Sequence, residues 1–133
     1  WEALMSINVS SALQMYLSGG RNVKSNLSSA ATTTIYTTPS VATFNFSIIS
    51  SVRVSNTSSG SNILTLKVND GTTNFTVAQT VEVAGNSNVS LLMQHFGEND
   101  DLILNSGELL TLTTSSSNAV TVFTNILEFA NYR

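Results

Sequence analysis

The sequence contains no cysteine, one proline (Pro39), one histidine (His95) and one tryptophan (Trp1). Without thiols there is no disulfide framework and no thiolate metal centre. A lone imidazole leaves little material for a zinc site or for histidine-based catalysis. Charge is scarce too: five Lys or Arg face eight Asp or Glu, 10% of the chain, for a formal net charge of −3. That balance offers no basic footprint, so a nucleic-acid partner is not expected. No apolar run approaches the roughly 18 residues that read as a membrane span, so no membrane partner is expected either. Positions 1–18 lack the basic flank and apolar core of a secretion signal.

What the chain has instead is 21 serines, 17 threonines and 15 asparagines among 133 residues, with 41% hydrophobic side chains. Disordered chains are apolar-poor and charge-rich, so this composition points to one folded domain. Helix surfaces favour Glu, Lys, Gln and Arg, whereas strand surfaces favour Thr, and Ser and Asn suit turns. The composition is that of an all-β protein.

Patterning divides the chain near residue 30. In residues 1–31 strand signals are weak. Ser10 or Ser11 is placed to cap a short helix over 10–18, with Leu13, Tyr16 and Leu17 on one face and Gly19-Gly20 ending it. This segment reads as an N-terminal arm that docks on a neighbour, the bland alternative being a frayed terminus. Met5 is a candidate native start, which would leave Trp1 to Leu4 as additions; removal of an upstream segment is the other possibility. From Thr32 to residue 133 apolar residues alternate with period two. Phe44, Phe46, Ile48, Val52 and Val54 share one parity and predict a long inward face. Leu64, Leu66 and Val68 predict another, and Phe75, Val77, Val81 and Val83 the return strand. Asp70-Gly71 between them predicts a tight type I′ hairpin. Leu102-Ile103-Leu104 reads as a short buried strand. The last strand is apolar on both parities (Val120, Val122 and Ile126 against Phe123, Leu127 and Phe129), so it lies mid-sheet or meets a partner. About eight strands with a turn every 8–12 residues predict an antiparallel β-sandwich, most simply a jelly roll.

No motif for chemistry survives inspection. His95 has Asp100 and Asp101 nearby, but with serine everywhere no nucleophile is singled out, and neither Gly-x-Ser-x-Gly nor His-Glu-x-x-His occurs. Glu98-Asn-Asp100-Asp101 is the one acidic cluster; it lacks the spacing of a calcium loop and reads as a solvated tip. No carboxylate pair stands out for glycoside hydrolysis, and Gly19-Gly20 is not followed by the Gly-Lys-Ser/Thr of a phosphate loop. Asn-x-Ser/Thr occurs at Asn8, Asn26, Asn45, Asn56, Asn74 and Asn88, close to the four or so expected by chance from this composition, so these sites read as unmodified. Trp1, Tyr16, Tyr36 and Tyr132 are scattered and form no evident sugar platform.

The strings Thr-Thr-Ile35-Tyr36-Thr, Ile49-Ser-Ser-Val-Arg53-Val-Ser-Asn56-Thr and Leu64-Thr-Leu-Lys-Val-Asn-Asp70-Gly71 resemble the small β-sandwich virion proteins of tailed bacteriophages. Val81-Glu-Val-Ala-Gly-Asn-Ser87-Asn-Val-Ser-Leu91, Leu104-Asn-Ser-Gly107-Glu-Leu-Leu-Thr-Leu112 and Ile126-Leu-Glu128 extend the resemblance, with Leu17-Ser-Gly-Gly-Arg21 before it. It implies a non-enzymatic virion component without cofactor or metal: a head decoration (cement) protein, or a neck or tail component. Its expected place is the head surface and its expected partners are the major capsid protein or other virion proteins, as a homo-oligomer such as a trimer. The alternative is a tail, neck or fibre module binding a host-surface glycan. Within the cement reading Leu13, Tyr16, Leu17, Arg21 and Lys24 are the expected partner-binding residues of the arm.

Overall fold

A computed structural model of the chain describes residues 15–92, 94, 95, 98, 99 and 101–131. Among these there is no helix. Eleven strands follow in order: β1 (Met15–Leu27), β2 (Thr32–Thr37), β3 (Phe44–Asn56), β4 (Asn62–Asn69), β5 (Asn74–Val83), β6 (Ser87–Ser90), β7 (Gln94–His95), β8 (Glu98–Asn99), β9 (Leu102–Asn105), β10 (Leu109–Thr114) and β11 (Val120–Asn131). One sheet runs β1-β11-β3-β6, with β9 paired to β3 alongside β6; the other runs β2-β10-β4-β5. All pairings are antiparallel, and β7 and β8 form a small separate ladder. Apart from the β4–β5 hairpin, successive long strands alternate between the two sheets, a jelly-roll-like sandwich as expected.

The core fills the gap between the sheets. Ile49, Val52, Val54, Leu64, Leu66, Leu104, Leu110, Leu112, Val122 and Ile126 are all buried there. Period-two alternation explains most of this packing, but bulges decide the rest. A register shift between Asn125 and Ile126 leaves Ser50 of β3 unpaired, because Asn125 faces Ser51 while Ile126 faces Ile49. An extra residue in one strand reverses the parity on either side of it. Val52 and Val54 therefore point inward as expected, but so do Ser47 and Ile49, while Phe46 and Ile48 turn outward. The single inward face expected from Phe44 to Val54 is thus two faces joined at Ser50. A bulge at Ile35 likewise places consecutive Ile35 and Tyr36 in the interior.

The N-terminal arm expected over 1–31 is corrected from Met15 onward. Residues 15–27 are β1, the edge strand of the first sheet, paired with β11 from Met15↔Asn131 to Leu27↔Val120. Weak intrinsic propensity did not prevent this, because the exposed edge of β11 supplies backbone partners along its length. Residues 15–18 of the expected 10–18 helix are therefore strand; 10–14 lie outside the described residues. β11 sits mid-sheet between β1 and β3, which accounts for its two apolar faces.

The Asp70-Gly71 hairpin forms, though not as a type I′ turn. Asn69 pairs with Asn74, Asp70 N donates to Thr73 O, and only Gly71 has positive φ in the connection. The Asp70 carboxylate accepts from the Thr72 and Thr73 amides, which hold it below its usual pKa range. In β5, Val83 is buried and Val81 half-buried, but Phe75 and Val77 are exposed rather than inward-packed.

The loops fall into two ends. The β1–β2, β3–β4, β5–β6 and β10–β11 connections share one end and contain no charged residue. They are tied by Asn62, whose amide donates to Asn118 O and accepts from the Ser115 and Ser116 amides, and by Asn56, which donates to Gly60 O and Val83 O. The β2–β3, β4–β5 and β9–β10 connections share the other end, where β1 begins and β11 stops.

Candidate interaction surface

Three bulges and one edge strand assemble an apolar surface on the outside of the first sheet. Leu17, Phe129 and Phe46 stand side by side in register, and one step along Leu127, Ile48 and Ile103 do the same. The Phe46 and Phe129 rings stack with centroids 4.9 Å apart. Leu17 and Ile103 are 52% and 57% exposed, so the rows end in apolar side chains that no described residue covers. Gly20 occupies the β1 position beside Leu127 and leaves that row shallow at its edge. Contiguous apolar surface of this kind marks an interaction site more often than isolated exposed residues do.

The same face carries two cations. Further along β11, Phe123 is flanked by Lys24 on β1 and Arg53 on β3, both exposed. Phe123 and Leu127 are four positions apart along the strand, about 13 Å. Asp101 is exposed too, two residues before Ile103 and at the same strand parity. Other carboxylates lie elsewhere: exposed Asp70 and half-buried Glu108 flank the Asn69–Leu109 pair at the loop end, and exposed Glu82 is on the opposite sheet.

Of the expected partner-binding residues, Leu17 and Lys24 reach this surface. Tyr16 pairs through its backbone with Ala130, and Leu13 lies outside the described residues. Arg21 is committed within the chain. Its Nη1 donates to Glu128 Oε2 at 3.3 Å, and its guanidinium lies 6.0 Å from the Tyr36 ring centroid. Glu128 is buried and also accepts from Tyr36 Oη at 2.6 Å, while Tyr36 Oη contacts Ser47 Oγ at 2.7 Å. Burial, then the bond to Glu128, pushes the Tyr36 phenol well above its usual pKa. This cluster joins the two sheets and pins β1 to them as a structural clasp.

Sequence reasoning missed Phe46, Ile48 and Ile103 as surface residues, assigning all three to buried positions. The available signal was the double apolar parity of β11, which named Leu127 and Phe129 without saying what lay beside them. No group of three or more metal-binding side chains occurs among the described residues. Asp100 of the acidic cluster lies outside them, and His95 falls on β7 opposite Glu98. Glu108 is a turn residue: its Oε1 accepts from Asn105 N at 2.6 Å, beside Gly107 at φ +85°. Asn56 is buried, so its sequon is closed to glycosylation in the folded chain.

No family model matches the sequence, and no curated protein matches it. Solved structures do. A chain of the acid-stable capsid of Helicobacter pylori bacteriophage KHP30 is 9% identical, with 86% of this chain and 90% of that chain covered and a TM-score of 0.53. A Bacillus endospore appendage protein that forms disulfide-linked pili is 13% identical, with 90% and 89% covered and a TM-score of 0.51. A pentameric capsid protein from metagenomic phage sequences is 20% identical over 83% of this chain and 61% of that one, with a TM-score of 0.43. This chain therefore spans about three fifths of that last protein's length. At these identities the likeness is one of fold, and the fold is the jelly-roll-like sandwich described above.

Proposed function

We propose that this chain is a non-enzymatic structural subunit of a bacteriophage virion, and within that class a decoration protein of the head surface bound to the major capsid protein. The observation that carries the reading is a jelly-roll sandwich whose conspicuous feature is an exposed apolar face beside the exposed Lys24 and Arg53. Such a face acts by burying area against a partner, which needs neither cofactor nor titrating group. The likeness to the KHP30 capsid chain supports it, because it runs over nine tenths of that chain and so compares whole domain with whole chain. The uncharged loop end supports it too, since closely spaced copies bearing like charges there would repel one another.

In this reading Leu17 and Lys24 contact the partner from β1, and residues 1–14, with Leu13, extend the contact. A tail, neck or fibre module is the second reading, supported by the fold of the endospore appendage. That protein's disulfide linkage has no counterpart here, because these 133 residues contain no cysteine. Cryo-electron microscopy of the particle that carries the chain separates the two. Density at many symmetric positions on the head supports decoration; a few copies at the tail or a fibre tip support the second reading. Absence from every particle overturns both. Particles lacking the protein should also lose resistance to heat or osmotic shock, and unchanged resistance would count against cementing.

A further inference from the structure

Residues 1–14 lead directly into the apolar face of the first sheet. Eight of these 14 side chains are apolar, Leu4, Met5, Ile7, Val9 and Leu13 among them, against 41% for the whole chain, and Glu2 is their single charge. A segment of that composition gains by leaving water. The strand that follows it, β1, starts at Met15, two positions before Leu17. Leu17, Phe129 and Phe46 form the apolar row nearest that start, and Leu127, Ile48 and Ile103 form the next. From β1 to β9 the face is three inter-strand spacings wide, about 14 Å, and from Phe129 to Phe123 it is six strand positions long, about 20 Å. Fourteen extended residues span up to about 46 Å. The segment is therefore long enough to reverse beyond Met15, run back over both apolar rows and bring Glu2 to Lys24 and Arg53, which flank Phe123. The exposed Asp101 at the β9 margin offsets the charge of only one of those two cations.

We propose that residues 1–14 fold back onto the outer face of the β1-β11-β3-β9 sheet of their own chain and cover its apolar rows. The occupant is the chain's own segment because it is tethered two residues from the face. A short tether gives an effective concentration on the order of millimolar, so at micromolar protein a neighbour's segment competes at about a thousandfold disadvantage. This goes beyond the virion reading, which concerns the partner that the face meets on a particle. In the free chain the segment closes the face. A capsid partner that displaces it frees the segment together with Leu17 and Lys24, which are the contacts proposed above.

Trp1 is the only tryptophan of the chain and lies in this segment, so the fluorescence of the full chain reads the docking directly. At micromolar concentration the native emission should lie to the blue of that of the urea-unfolded chain and should resist quenching by acrylamide. A second chain carrying Trp1→Phe and Leu4→Trp moves the probe inward along the segment. Ile103→Lys and Leu17→Lys, both at exposed side chains, should each shift the emission to the red and restore quenching, while circular dichroism shows the sheets intact. Ile7→Asp should do the same and also raise the fluorescence of an added apolar dye, because it uncovers an intact face. Emission at the unfolded position from both probe positions overturns the proposal. So does protection that the two face variants leave unchanged. Protection that appears only at concentrations where sedimentation equilibrium shows oligomers assigns the face to a second copy, and overturns it too. The experiment involves no particle, so its failure and the failure of the virion reading are separate results.

Discussion

Tyr36 Oη donates a 2.6 Å hydrogen bond to Glu128 Oε2 across the space between the two sheets. Tyr36 comes from β2 and Glu128 from β11, 92 residues later, and Arg21 from β1 closes over both. The bond ties the first strand of one sheet to the neighbour of the edge strand in the other. Several consequences can be measured.

Tyr36→Phe removes a hydrogen bond to a buried carboxylate and should cost about 1.5–3 kcal/mol of stability. Arg21→Ala should cost about 1 kcal/mol or less, because the arginine side chain is 54% exposed and its ion pair is screened by water. Urea midpoints of the two variants decide the order. An Arg21 loss exceeding the Tyr36 loss would mean that the ion pair, not the phenol, holds β1 to the core.

Alkaline pH should weaken the fold through Tyr36. Its folded pKa is raised above the ordinary value near 10, so the native state holds the proton more tightly than the unfolded chain. This contribution is fully present below about pH 10 and is lost as pH rises through the folded value. Tyr36→Phe should therefore show a shallower decline of stability above pH 10 than the wild type. Parallel declines would contradict the assignment.

Thr124 is buried, and its hydroxyl has no hydrogen-bond partner among the described residues. Thr124→Val keeps the shape and removes the unpaired group, so it should raise stability by about 1 kcal/mol. Differential scanning calorimetry should show a higher Tm; a lower one would reveal a partner for the hydroxyl.

Asn62→Ala should destabilise by about 2 kcal/mol, since one buried amide organises the β10–β11 loop through both its ends. Asn62→Asp should be worse at neutral pH, because it turns a carboxylate toward the Asn118 carbonyl, and should recover in part as acid protonates it. Denaturant titrations at two pH values test this.

Two glycines offer a contrast, Gly85 in the β5–β6 connection and Gly19 in β1. A Cβ at Gly85 would run into the Ser59 carbonyl, so Gly85→Ala should displace the β3–β4 loop and cost about 1–3 kcal/mol. A Cβ at Gly19 meets nothing, so Gly19→Ala in β1 should be neutral or stabilising by up to about 1 kcal/mol. Hydrogen exchange at Asn86, whose amide donates to Ser58 O, gives the first effect a local readout.

Composition and period-two alternation determined that this chain is an all-β sandwich. Leu64, Leu66 and Val68 had to share a face, and Asp70-Gly71 had to reverse the chain, because each of these depends on residues a few positions apart. The place of β11 was half legible: two apolar parities say that both faces are covered or in demand, without saying by what. Tertiary structure decided the rest. Parity assigns faces only as far as the next bulge, and the bulges at Ser18, Ile35 and Ser50 leave no mark in residue type. They turned Phe46 and Ile48 outward, seated Tyr36 against Glu128 and so created both the clasp and the apolar face. Met15–Leu27, poor in strand formers, became strand because the edge of β11 offered backbone partners that no local pattern could announce.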